Sequence, residues 1–240
     1  MASDALVVEN RRAWVASCGA PLVPRLDCAG RCRQLGEEGG DFYSVAPLEN
    51  GRVTLAVGDA SGKGLAAAPF IANVRTALRA EALFSEHDLT ATLAAVNKRV
   101  HSPSHMGRYA TLFYALVDAP RRTLRYVNAG HNPPMILHRN GSMNFLETGG
   151  APVGMFPDWR FEEGMVSLQP GDVLIAYTDG VIEAENSQAE MWGVEGLRRI
   201  AGQNRDRNAD EMVDAIFRAM DEFSRDRQSD DATVAVLRIN

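Results

Sequence analysis

Four acidic segments carry the residues of this chain that are best suited to chemistry. Each places an aspartate beside small residues, at a turn or at the edge of an expected strand: Gly39-Gly40-Asp41, Gly58-Asp59-Ala60-Ser61-Gly62-Lys63-Gly64, Thr178-Asp179-Gly180 and Asp230-Asp231-Ala232-Thr233. Small neighbours let a ligand approach the backbone closely. A lone Asp-Gly pair is more typical of an ordinary turn. The set of four is more informative, because strand ends from distant parts of one sheet can converge on one point.

Carboxylates gathered at one point repel one another. Two unit charges about 4 Å apart cost roughly 4 kcal/mol at an effective dielectric constant near 20. Such a cluster needs protons or cations, and aspartate oxygens without nearby His or Cys favour Mg²⁺ or Mn²⁺ over zinc. A pair of such ions acidifies a bridging water and neutralises phosphoryl oxygens. The pattern therefore indicates metal-assisted hydrolysis of a phosphate ester.

Two other kinds of phosphate chemistry fail on spacing. The segment Gly58–Gly64 is one residue shorter than a nucleotide-binding P-loop, and Gly64 stands where that loop needs Ser or Thr. A cysteine-dependent phosphatase needs an arginine six residues after its thiolate. The positions six residues after Cys18, Cys28 and Cys32 hold Pro24, Gln34 and Glu38.

Composition indicates one sizeable globular domain. The chain has 240 residues, of which 45% are hydrophobic and 23% charged. The net charge of −6 gives no electrostatic signature of nucleic-acid or membrane binding. Three cysteines in the first part of the chain do not make a disulfide framework. The N-terminus has no secretory pattern, and the apolar stretch Leu65–Val74 is too short to span a bilayer. We expect a cytosolic protein.

Turn residues and the spacing of apolar residues predict the helices and strands that must position the aspartates. Asn50-Gly51 between two apolar runs predicts a hairpin of Phe42–Leu48 with Val53–Val57. Helices are predicted at 65–84, 88–101 (capped by Asp88), 195–201 and 209–223. Further strands are predicted at 109–117, 123–128, 135–138, 143–146, 173–177 and 233–239. Hairpin-paired strands with helices in two blocks favour an α+β fold of antiparallel sheets covered by helices.

Five segments, in order, resemble the metal-dependent protein serine/threonine phosphatase superfamily PPM (the type-2C-like phosphatases), in its bacterial SpoIIE- and RsbU-like branch. They are EGGDFYSV (38–45), VGDASGKGLAAA (57–68), YVNAGHNPPMIL (126–137), LIAYTDGVIEAEN (174–186) and DDATVAVL (230–237). The resemblance implies a four-layer α-β-β-α sandwich of two antiparallel sheets flanked by helices. It divides the chain into an N-terminal lead-in, residues 1–24, and a PPM-type phosphatase domain, residues 25–240. In the lead-in, Leu6, Val7, Val8, Trp14 and Val15 predict a short packed helix, for docking, dimerisation or simple packing.

The resemblance also implies a catalytic site with two Mn²⁺ or Mg²⁺ ions. Asp41 and Asp59 would hold them, with Asp59 as the bridge and the backbone carbonyl of Ala60 as a further ligand. Asp179 and Asp230 would complete the second ion's shell. Asp231 ranks below Asp230, because its position often holds Asn in the wider superfamily. Gly62 and Gly64 would form the turn that opens the next helix.

The chain departs from the superfamily's pattern in several places. The histidine that follows the bridging aspartate in eukaryotic members is replaced here by Ala60-Ser61. His131 either lies at the rim of the site and assists proton transfer, or only organises its Pro-rich loop. None of Arg25, Arg31 and Arg33 clearly matches the phosphate-binding arginine of those members, so we expect the metals alone to hold the phosphate. Ser44 replaces a frequent Asp, with no expected effect on metal binding.

The expected reaction is hydrolysis of phosphoserine or phosphothreonine on another protein, by a water activated between the two ions. Within the branch, a typical substrate is a phosphorylated anti-anti-sigma factor in a partner-switching pathway. The alternative is a catalytically inactive regulatory binding module with the same fold. The segment Asn186–Gly193 is either a flap that contacts substrate or an ordinary surface loop. The oligomeric state stays open.

Overall fold

Two packed β-sheets form the centre of the molecule. The computed structural model describes residues 7–10, 23–36, 39–62, 67–84, 88–101 and 107–240. In spatial order, the first sheet contains β1 (Val7–Asn10), β2 (Leu26–Leu35), β12 (Ala232–Ile239), β11 (Val173–Tyr177), β7 (Met135–Leu137) and β8 (Met143–Phe145). The second contains β10 (Gly164–Ser167), β6 (Thr123–Ala129), β5 (Ala110–Asp118), β4 (Arg52–Ala60) and β3 (Asp41–Pro47), and the short β9 (Gly149–Gly150) pairs with β6. Among these strands only the β6–β9 pair is parallel.

Helices cover both outer faces. α1 (Ala68–Phe84) and α2 (Leu89–Val100) pack on the second sheet, while α3 (Asp179–Ile182), α4 (Gly193–Gln203) and α5 (Ala209–Ser224) pack on the first. Three groups of buried apolar side chains fill the space between the sheets and the space between each sheet and its helices. The predicted four-layer α-β-β-α sandwich is therefore confirmed.

Alternation along the strands decides which side chains face the site. Successive residues of a strand point to opposite faces of the sheet. Val57 and Phe113 lie in the core between the sheets, whereas their neighbours Ala56 and Leu112 pack under the helices. Asp59 and Thr111 share the phase of Val57 and Phe113, and so belong to the face that looks toward the first sheet.

Local chemistry explains most element boundaries. Asn50 has a φ of 59° in the 3₁₀ turn Glu49–Gly51, which joins β3 to β4 as the Asn-Gly pair predicts. Asp88 caps α2 by accepting a hydrogen bond from the backbone N–H of Ala91. Asn208 and Glu211 form a capping box that begins α5. Gly62 has a φ of 99° at the turn after β4, and Gly64 lies outside the described residues.

The lead-in departs from expectation. Residues 7–10 form a strand that pairs antiparallel with β2, so the predicted helix is wrong over that stretch. The edge of β2 offers unpaired backbone groups, and a short segment satisfies them more readily as a strand than as an isolated helical turn. The rest of the prediction, including Leu6, Trp14 and Val15, lies outside the described residues, as does Cys18. The division at residue 24 stays a prediction.

Four further elements were not anticipated from the sequence: β2, β9, β10 and the single turn α3. Both β9 and β10 are short, and their pairing with β6 brings together segments that are distant in the chain. None of the helices in the described ranges has the length and apolar character needed to cross a bilayer.

Candidate functional site

The register of the second sheet places two of the predicted aspartates side by side. Asp41, the first residue of β3, is directly opposite Asp59 in the β3–β4 ladder. Asp59 is in turn opposite Thr111 on β5. Directly opposed residues project from the same face of a sheet, with Cβ atoms about 5 Å apart. One end of the second sheet therefore presents Asp41, Asp59 and Thr111 in a row.

The first sheet contributes the other aspartates from two adjacent strand ends. Asp179 follows the end of β11, and Asp230 and Asp231 precede the start of β12. The two strands are paired antiparallel, and the backbone N–H of Thr178 donates to the carbonyl of Thr233 at 3.0 Å. Gly180 allows α3 to approach closely, since a Cβ at that position would overlap the carbonyl oxygen of Asp231.

Electrostatics links the two sheets at this end. The pKa of Asp59 is raised to about 7, first by burial and then by the negative charges of Asp179 and Asp230. The pKa of Asp41 is raised well above its usual value, first by burial and then by the charge of Asp59. The negative charges of Asp179 and Asp230 therefore act on Asp59, and the charge of Asp59 acts on Asp41.

Asp41 is held in place from the opposite sheet. Its Oδ2 accepts hydrogen bonds from the hydroxyls of Thr178 and Thr233, each at 2.7 Å. Both threonines are fully buried, and Asp41 itself is only 4% exposed. These threonines were not predicted as site residues, although each stands within a segment that contains a predicted aspartate.

The Asp231 carboxylate binds backbone N–H groups of the segment that precedes Asp41. Its Oδ1 accepts from the backbone N–H of Leu35 at 2.7 Å, and its Oδ2 accepts from the backbone N–H of Gly40 at 2.6 Å. The carboxylate thereby joins the end of β2 to the start of β3. Its role as a lower-ranked metal ligand stays a prediction.

The backbone carbonyl of Ala60 faces the same small space as Asp59. A Cβ built on Gly40 would lie 3.3 Å from the Ala60 carbonyl oxygen and 3.4 Å from Asp59 Oδ1. Gly40 thus leaves room beside both oxygens. The backbone N–H of Ala60 donates to the Gly40 carbonyl at 3.1 Å, which keeps these two segments together.

His131 lies beside the row of site residues. Its Nδ1 is 2.9 Å from the Thr111 hydroxyl, and its backbone N–H donates to the side chain of Asn128 at 2.7 Å. Burial lowers the pKa of His131 to about 4, against an opposing influence from the backbone of Tyr177. Nε2 is buried without a hydrogen-bond partner among the described residues. Its neutral ring fits the role of organising the loop, and the role in proton transfer stays a prediction.

Arg31 and Arg33, two of the three arginines considered as phosphate ligands, lie on β2 and form ion pairs with α5. That the metals alone hold the phosphate stays a prediction. Arg31 pairs with Asp214, and Arg33 makes a bidentate pair with Asp221 at 2.6 and 2.9 Å, both on α5. Both guanidinium groups also lie over the Phe217 ring. They therefore attach α5 to the outer face of the first sheet, away from the row of aspartates.

The donor set fits hard divalent cations. It consists of carboxylate and carbonyl oxygens, the ligands that Mg²⁺ and Mn²⁺ prefer. The raised pKa values of Asp41 and Asp59 mean that a nearby positive charge would be favourable. As they stand, no three His, Cys, Asp or Glu side chains of the described residues lie close enough to hold an ion. The match to hard cations therefore rests on the chemistry of the donor oxygens and on the raised pKa values of Asp41 and Asp59.

Comparison with known proteins now identifies the family. Residues 49–240 match the family described as Stage II sporulation protein E (SpoIIE). The chain belongs to the SpoIIE family. This places it in the SpoIIE/RsbU-like branch of the PPM phosphatases, as the sequence motifs predicted.

Individual relatives of this SpoIIE-family chain agree with that placement. Phosphoserine phosphatase RsbU of Bacillus subtilis is 22% identical over 237 residues, which cover 98% of this chain and 70% of RsbU. Protein IcfG of Synechocystis is 29% identical over 187 residues, which cover 66% of this chain but only 29% of IcfG. Among solved structures, the RsbU and RsbW domains of Rv1364c from Mycobacterium tuberculosis match with a TM-score of 0.76 and 26% identity, covering 92% of this chain and 61% of that one.

Proposed function

We propose that this SpoIIE-family chain is a metal-dependent protein phosphatase that hydrolyses phosphoserine or phosphothreonine. One observation carries the proposal: Asp59 of the second sheet is partly buried beside Asp179 and Asp230 at the strand ends of the first, and burial, followed by these two negative charges, raises the pKa of Asp59 to about 7. A partly buried carboxylate that lies among other carboxylates is suited to binding cations. A relative named as a phosphoserine phosphatase supports the same reaction class.

Five groups are assigned to two Mn²⁺ or Mg²⁺ ions: the carboxylates of Asp41, Asp59, Asp179 and Asp230, and the carbonyl of Ala60. When bound, such ions lower the pKa of a bridging water and neutralise phosphoryl oxygens. Asp59 is less buried than Asp41 and so is the carboxylate better placed to serve both ions. Asp231 and His131 lie next to these five groups. Asp231 accepts a hydrogen bond from the backbone N–H of Gly40, and His131 is hydrogen-bonded to the Thr111 hydroxyl.

We propose a phosphorylated regulatory protein of the anti-anti-sigma type as the substrate, in a cytosolic partner-switching pathway. Two features of the relatives support this: RsbU is named for phosphoserine, and in Rv1364c an RsbU domain shares a structure with an RsbW domain. The alternative is an inactive regulatory module with the same fold. The sequence retains all four aspartates that are proposed as metal ligands, which favours the enzyme over the inactive module.

The test is release of inorganic phosphate from a small aryl phosphate and from phosphoserine proteins, with Mn²⁺ and with a chelator. Asp59→Asn should abolish Mn²⁺-dependent turnover, because the loss of a bridging ligand costs several kcal/mol, or about a hundredfold or more. Asp206→Asn is the matched control, since its carboxylate is 92% exposed and lies on the loop between α4 and α5. A wild-type chain that folds and binds Mn²⁺ but releases no phosphate from any substrate would favour the inactive module.

A further inference from the structure

Two threonines of the first sheet hold one oxygen of a carboxylate that belongs to the second. Thr178 follows the last residue of β11, and Thr233 is the second residue of β12. Their hydroxyls both lie 2.7 Å from Asp41 Oδ2, although they are 137 and 192 residues away from Asp41 in the chain. Neither threonine side chain reaches solvent.

The Thr178 hydroxyl takes part in a further hydrogen bond, this one with the backbone of Thr233. The backbone N–H of Thr233 donates to Thr178 Oγ1 at 2.9 Å. A hydroxyl has a single proton to donate. Thr178 Oγ1 accepts the bond from Thr233 with a lone pair and donates its own proton to Asp41 Oδ2. The backbone N–H of Thr233 is thus hydrogen-bonded to the Thr178 hydroxyl, which is in turn hydrogen-bonded to the Asp41 carboxylate. These two bonds restrict the rotamers of the Thr178 and Asp41 side chains.

The consequence for Asp41 is a fixed orientation. With Oδ2 engaged by Thr178, just after β11, and by Thr233 of β12, the carboxylate cannot rotate without losing both hydrogen bonds in a buried site. Oδ1 is the oxygen that neither threonine engages. Asp41 also lies within hydrogen-bonding reach of Asp59, its partner in the β3–β4 ladder.

We infer that Thr178 and Thr233 are positioning residues, which orient Asp41 for cation binding and join the two sheets at the site. This inference rests on the proposed function, because it assigns Asp41 as a metal ligand. Groups that orient a metal ligand typically contribute 10- to 100-fold, roughly, to metal affinity. Neither threonine contacts the reacting atoms in this role, so their effect passes through Asp41.

The experiment compares hydroxyl removal with hydroxyl retention. Thr178→Val and Thr233→Val keep the shape of the side chain and remove the hydroxyl, whereas Thr178→Ser and Thr233→Ser keep the hydroxyl. Mn²⁺ affinity is measured by calorimetric titration of the metal-free chain, and folding by circular dichroism. Thr92→Val is the matched control, because Thr92 is 1% exposed and its hydroxyl donates to the Asp88 carbonyl at the start of α2.

We expect the valine variants to bind Mn²⁺ about 10- to 100-fold more weakly, and the serine variants and Thr92→Val to bind it like the wild type. Valine variants with wild-type affinity would overturn the inference, and so would serine variants weakened as much as valine variants, since packing would then be the cause. If a valine variant fails to fold, alanine and serine at that position give the same comparison. The readout is binding, so a wild type that binds Mn²⁺ without turnover would refute the enzyme and leave the positioning role standing.

Discussion

Asp41 and Asp59 are direct partners in the β3–β4 ladder, so two carboxylates occupy one cross-strand pair at the edge of a buried face. Like charges in such a pair are destabilising. Both groups respond with raised pKa values, which means that protonation relieves the repulsion in the absence of cations. A divalent cation would relieve it without a proton. The pair therefore couples folding stability to both pH and metal.

The folding stability of the metal-free chain should depend on pH through the protonation of Asp59. Its folded-state pKa of about 7 exceeds the ordinary value of 3.8. The folded state thus binds the proton more tightly, and the stability that this contributes below pH 3.8 is lost as the pH rises through about 7. Urea midpoints of the metal-free chain at pH 5 and pH 8 should show this loss in the wild type. Asp59→Asn should lack this part of the loss, and an identical pH change in both proteins would contradict the assignment.

Divalent cations should stabilise the folded chain. A ligand at a hundred times its Kd adds about 2.7 kcal/mol, which for a chain of this size raises Tm by roughly 5–10 °C. Thermal unfolding with and without Mn²⁺ measures the effect. Asp59→Asn should remove most of it, and Asp206→Asn should retain it. An equal shift in Asp59→Asn would mean that Mn²⁺ binds elsewhere.

Gly180 should not tolerate a side chain. A Cβ there would overlap the carbonyl oxygen of Asp231, a backbone atom that cannot move aside cheaply. Gly180→Ala should therefore destabilise the chain by about 1–3 kcal/mol and weaken Mn²⁺ binding, because Asp179 and Asp230 flank the contact. Gly202→Ala is the matched control in α4, where a Cβ meets nothing within 4 Å. That change should instead stabilise by about 0.5–1 kcal/mol. Equal effects in denaturant titrations would contradict the packing argument.

His131 should lower stability at mildly acidic pH. Its folded-state pKa of about 4 lies below the ordinary 6.5, so the unfolded chain binds the extra proton. Stability from His131 should be lost as the pH falls from 6.5 toward 4, and His131→Gln should flatten that part of the curve.

The same variant separates the two roles of His131. A lower kcat with an altered pH–rate profile would support proton transfer. An unchanged rate and profile, with reduced stability, would leave only organisation of the loop around Asn128 and Thr111.

Much of the second sheet's share of the site follows from local sequence. Asn50 adopts the positive φ that the Asn-Gly pair favours, and Asp41 and Asp59 lie nine residues before and after it. A tight hairpin turn sets the register of its two strands, so the opposition of these aspartates is a short-range property. The caps at Asp88 and Asn208 are equally local.

The other half of the site depended on the tertiary structure. The threonine hydroxyls that hold Asp41 and the backbone groups that bind Asp231 come from segments more than a hundred residues apart in the chain. The strand at Val7–Asn10 forms because β2 has a free edge, which no periodicity in the lead-in encodes. Turns and caps depend on neighbours in sequence and can be predicted from them. Contacts between sheets depend on how the whole core packs, and only the folded chain determines which side chains then meet.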